Sequence, residues 1–132
     1  KYRINTYWVY RYIPTKKPKL IIRGGVKMSK ASFIASLLQQ GQYIEKYKEA
    51  GNSMLPIIKS NQPVSLIPIT ADTTLEVKDI VFCKVKGNYY THLISAIRTR
   101  NNQVEYQISN NHGFVNGWVK QRNIFGKVVK IW

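Results

Sequence analysis

The chain has 132 residues, 44% of them apolar, and a formal net charge of +15. That length suits one domain with a real but small core, and the ordinary apolar content argues against global disorder. No apolar run approaches the roughly eighteen residues a membrane helix needs, and so high a charge favours acidic partners such as nucleic acid, an anionic surface or an acidic protein.

Residues 1–27 hold eight Lys or Arg and no acid, which leaves +7 on the other 105 residues. The segment is rich in aromatics, with Tyr2, Tyr7, Trp8, Tyr10 and Tyr12, and follows no clear period. Two expectations stand side by side. One is a basic aromatic arm that binds nucleic acid by phosphate contacts and stacking. The other is a translated leader, because the first Met is Met28 and Arg23-Gly24-Gly25 before it can be encoded by a purine-rich ribosome-binding sequence. No secretory signal peptide is visible, since Arg11 and Pro14 interrupt the apolar stretch. A soluble, cytoplasmic protein is the expectation.

Ser29 to about Lys48 is predicted as a helix, with Phe33, Ile34, Leu37, Leu38, Ile44 and Tyr47 near helical spacing, Ser29 or Ser32 as cap, and Gly41 as a weak point. This makes residues 28–50 an N-terminal helical piece and residues 51–132 a β-domain. The strands expected there are Val64–Ile69, Ile80–Val85, Tyr89–Ile97, Gln103–Ile108 and Phe125–Ile131. Lys86-Gly87-Asn88 is the turn of a hairpin between the second and third. The fold class is therefore mainly β, a β-rich α+β domain of antiparallel strands with one N-terminal helix. The single cysteine, Cys83, lies in a strand-like run and suits a small core residue.

Chemistry concentrates at Gly51-Asn52-Ser53-Met54-Leu55-Pro56. A serine nucleophile needs an exposed hydroxyl on a constrained turn, a base within reach, and donors for the oxyanion. Gly51 permits a tight approach, Met54 can anchor the turn in the core, and Pro56 stiffens its exit. A serine between Gly and Pro is, by itself, far more often only a turn residue. Two histidines twenty residues apart with few acids make a poor metal set, and Gly24-Gly25 lacks a phosphate-loop signature, so neither metal nor cofactor is expected.

The order of later segments strengthens the nucleophile. The Gly51–Pro56 box, Asp79-Ile80-Val81-Phe82, Tyr90-Thr91-His92-Leu93, Ser109-Asn110-Asn111-His112-Gly113-Phe114 and Ile124-Phe125-Gly126-Lys127 together resemble the ordered boxes of the signal peptidase/LexA-type serine peptidases. The resemblance covers about 80 residues, from Gly51 to the last. It implies that fold, Ser53 as nucleophile, and His92 as general base where many members carry lysine; the endoplasmic-reticulum and archaeal signal peptidases carry histidine there. Lys84 and Lys86 are fallback bases, with a solvated edge the commoner role. The family's aspartate is missing, and Asn110 stands in its place. An amide can orient an imidazole but supplies no charge, and in a model triad this exchange costs roughly 10⁴ in rate. Asp79 is a second candidate to support His92, and His112 either helps or caps its loop.

The expected activity is thus slow or specialised peptide-bond cleavage, with a peptide or protein substrate and the Ser53 N–H in the oxyanion hole. Substrate would add as a strand beside the nucleophile, with Val64–Ile69 as candidate neighbour if it is not buried. Lack of an anchor or DNA-binding domain disfavours a secretory signal peptidase or a repressor, and a compact version suits a phage protein. The alternative is an inactive binding module on the same fold, taking nucleic acid or an acidic protein through Tyr89, Tyr90, Trp118, Lys120, Arg122 and Lys127.

Overall fold

The computed structural model describes residues 28–132 and, before them, the short strands β1 (Arg11–Tyr12), β2 (Ile21–Arg23) and β3 (Val26–Met28). The arm and leader expectations for residues 1–27 otherwise lie outside the described residues. One helix follows, α1 (Lys30–Gln39), then β4 (Tyr43–Tyr47), β5 (Val64–Pro68), β6 (Ile80–Val85), β7 (Asn88–Arg100), β8 (Gln103–Ser109), β9 (Val115–Lys120) and β10 (Ile124–Ile131). The described residues are mainly β with one α-helix, as the strand-like runs and turn punctuation predict. No helix among the described residues is long and apolar enough to cross a membrane.

The main sheet runs β1-β4-β5-β10-β6-β7-β8-β9. All neighbours pair antiparallel except β1, which lies parallel to β4. Two clusters fill the interior. α1 lays Ile34, Leu37 and Leu38 against Ile44, Leu66, Phe82 and Phe125. Val81, Cys83, Ile94, Tyr106, Ile108 and Val119 form the second. Alternation along β6 explains the division, since Phe82 points to the helix side and Val81 and Cys83 to the other. Cys83 is fully buried, and burial first, then the charge of Glu49, pushes its thiol pKa up to about 12. Such a thiol is a packing residue and not a nucleophile.

The predicted helix is too long. Ser29 caps it, accepting from the Ser32 N–H at 3.1 Å, but it ends at Gln39. Gly41 takes φ +85°, and the N–H groups of Gly41 and Gln42 reach back to the carbonyls of Leu38 and Leu37. This is a Schellman stop, which a left-handed glycine favours. The chain then forms β4. A register irregularity against β5 between Ile44 and Tyr47 puts two buried residues three apart, and that spacing imitates a helix. β5 also lies inside the sheet, between β4 and β10, so the Val64–Ile69 segment has no free edge for a substrate strand. Strand β9 has no counterpart among the predicted elements, because Asn116 and Gly117 interrupt its apolar pattern.

Candidate active site

The turn after β4 carries Ser53. Gly51 opens it with φ +129°, a conformation that side chains oppose although nothing crowds the position of a Cβ. Its N–H donates to Ser60 Oγ at 3.0 Å. Met54, buried to 5% exposure, anchors the turn, and the Ile58 N–H donates to the Met54 carbonyl at 3.0 Å.

The loop between β8 and β9 clamps the turn from outside. The Asn111 N–H donates to the Ser53 carbonyl at 2.9 Å, and its side-chain amide donates to the Leu55 carbonyl at 2.8 Å. His112 Nε2 donates to the Asn52 carbonyl at 3.0 Å. These three bonds hold the backbone of the turn that carries Ser53.

His92 stands on β7, opposite Val81 of β6, and is 6% exposed. Its Nε2 lies 2.9 Å from Ser53 Oγ, and its Nδ1 lies 2.7 Å from Asn116 Oδ1. An amide oxygen only accepts, so Nδ1 carries the proton. Nε2 then has a free lone pair aimed at the serine hydroxyl. Tyr90, two residues back on the same face, stacks on the ring at 4.7 Å between centroids. Burial holds the imidazole pKa below its ordinary value, opposed by the bond His92 donates to Asn116 and by the charge of Glu49. The ring therefore stays neutral, the form in which it can accept a proton, across the neutral range.

Asn116, and not Asn110, orients the histidine. Ile108 pairs with Gly117 and Ser109 with Val115, so Asn116 is the extra residue of a bulge on β9. Bulges re-aim side chains, and this one aims an amide at His92. Asn110 instead accepts from the N–H groups of His112 and Phe114 at 2.8 and 2.9 Å and shapes its own loop. Asp79 is also displaced from the expected role. Its carboxylate accepts from the Glu76 N–H at 2.8 Å and pairs with Lys127 Nζ at 3.3 Å. His112 acts on the turn and not on the base. Lys84 lies over the Tyr89 ring and Lys86 forms the β6–β7 turn, so neither serves as the base.

Of the charged aromatic face expected for a binding module, Tyr89, Tyr90 and Lys127 are engaged elsewhere, while Lys120 and Arg122 lie together at the end of β9. Tyr89 stacks on Phe82 at 5.7 Å, Tyr90 covers His92, and Lys127 is paired. Trp118 remains on the sheet surface with Arg98 over its ring at 3.9 Å.

A cavity of about 40 Å³ opens beside Ser53, walled by Met54, Ile58, Val64, Tyr47, Glu49 and Thr91. Glu49 accepts from Thr91 Oγ1 at 2.6 Å. Burial first, then the charge of Glu49, raises the Tyr47 phenol far above its ordinary value. Glu49 is one of only six acids in the chain, two residues before the Gly51 box, and that position was the signal available in the sequence. The chain matches no protein-family model and no curated protein sequence.

Proposed function

We propose that this protein is a serine peptidase-like enzyme that cleaves a peptide bond with a Ser53–His92 dyad oriented by Asn116, in the manner of the histidine-base members of the signal peptidase/LexA-type family. The observation that carries this reading is the chain of contacts from Ser53 Oγ to His92 Nε2 at 2.9 Å and from His92 Nδ1 to Asn116 Oδ1 at 2.7 Å.

His92 Nε2 takes the Ser53 proton as Oγ bonds to the substrate carbonyl carbon. The oxygen that gains negative charge is met by the Ser53 N–H. Collapse expels the amine, which takes the proton from Nε2 and leaves an acyl ester on Ser53. Water then attacks the ester with His92 again as base. Asn116 fixes the tautomer without adding charge, so the imidazolium lacks the support a carboxylate gives. A turnover slower than that of an aspartate triad follows.

A fluorophosphonate probe, whose phosphorus is attacked by an activated serine hydroxyl with loss of fluoride to leave a phosphonyl ester, tests the reading. Wild type is expected to label at Ser53, and Ser53→Ala and His92→Ala to stay unlabelled. Equal labelling of wild type and Ser53→Ala sinks the proposal.

A further inference from the structure

We propose that the Glu49 cavity selects a small hydroxyl-bearing side chain, serine above alanine and lysine, on the residue whose carbonyl Ser53 attacks. The inference rests on the peptidase reading, because that reaction puts the attacked carbon at Ser53 Oγ and its side chain at the mouth of the cavity.

Size is the first argument. One water needs roughly 10–15 Å³ on the same measure, so about 40 Å³ holds two or three heavy atoms. Serine brings two beyond its α-carbon and threonine three. Lysine brings five, and exposed Lys59 lines the same cavity with like charge.

Hydrogen bonding is the second. An ionised carboxylate offers about four acceptor sites. Thr91 Oγ1 fills one at 2.6 Å. The half-buried Glu49 forms part of the cavity wall with sites to spare. Met54, Ile58 and Val64 supply apolar walls around that one charged acceptor. An apolar side chain seated there displaces water from the carboxylate and returns no hydrogen bond, which is unfavourable. A hydroxyl replaces the water's bond with a charge-assisted one. Sites built to bond a substrate hydroxyl discriminate strongly against its deletion.

The test uses fluorogenic amides of the form acetyl-Ala-Ala-X-aminomethylcoumarin, with X as Ser, Ala or Lys, alongside the fluorophosphonate probe. The ratio of kcat/KM for Ser over Ala is expected near ten in wild type, with Lys poorest. It is expected to fall in Glu49→Gln, and to drop to one or below in Glu49→Met, which keeps length but removes the acceptor. Any change in His92 basicity acts on all three substrates alike and cancels in the ratio. Glu49→Gln preserves a partner for Thr91, so it reads the carboxylate in a folded chain. If Ser53 labels but Ser is no better than Ala, or the ratio ignores both variants, the pocket assignment is overturned and the peptidase reading stands. If Ser53 does not label, the peptidase reading fails and the pocket assignment falls with it.

Discussion

Replacing Asn116 by aspartate restores the charge that the Ser–His pair lacks, at the position the fold uses. The amide oxygen is 2.7 Å from His92 Nδ1, so a carboxylate there sits with its charge about 4 Å from the centre of the imidazolium. At an effective dielectric near 20 the attraction is about 4 kcal/mol. Desolvating the new carboxylate offsets about half, which leaves about 2 kcal/mol, or roughly 30-fold in kcat/KM where His92 is neutral. The same interaction raises the imidazole pKa, so the ascending limb of the pH–rate profile moves up relative to wild type. Asn116→Ala moves it the other way, because the bond it removes favours the protonated ring. Titrating the His92 ring protons by NMR reads both shifts without any substrate. Asn116→Asp and Asn116→Ala that leave the titration where wild type has it would refute the orienting role of Asn116.

Asn110→Asp is the matched control: its side chain bonds its own loop, so His92 titration and the pH limb are expected unchanged, checked by the same NMR experiment. Asn111→Ala removes the amide bond to the Leu55 carbonyl and is expected to cost about 1 kcal/mol in urea unfolding. It should also lower fluorophosphonate labelling several-fold by loosening the turn. Phe82→Ala empties the centre of the helix-side cluster and is expected to cost about 3–5 kcal/mol, read as a fall in Tm. Acid stability carries the sign of His92: its folded pKa lies below the ordinary 6.5, so the neutral ring stabilises the fold above that value. That stability is lost as pH falls from 6.5 through the folded value, and His92→Gln should flatten this part of a Tm–pH curve.

Local patterns carried much of this protein. Ile80–Val85 is β6 residue for residue, and the Lys86–Asn88 turn joins it to β7 as its composition predicts. The Ser53 and His92 pair was legible too, since each stands in a short segment whose order along the chain resembles one family's boxes. The rest was set by pairing. Helical spacing through Ile44 and Tyr47 came from a bulged strand, which only its register with β5 reveals. Asn110 filled the orienting position in a linear alignment, yet a single extra residue on β9 turned Asn116 toward the imidazole. Glu49 comes to the cavity wall beside Ser53 with Thr91, 42 residues away in sequence, donating to its carboxylate. A sequence determines which side chains alternate, cap and turn, because those depend on neighbours within a few residues. Which polar atoms meet across the sheet depends on register, and one bulge changes that by a full residue.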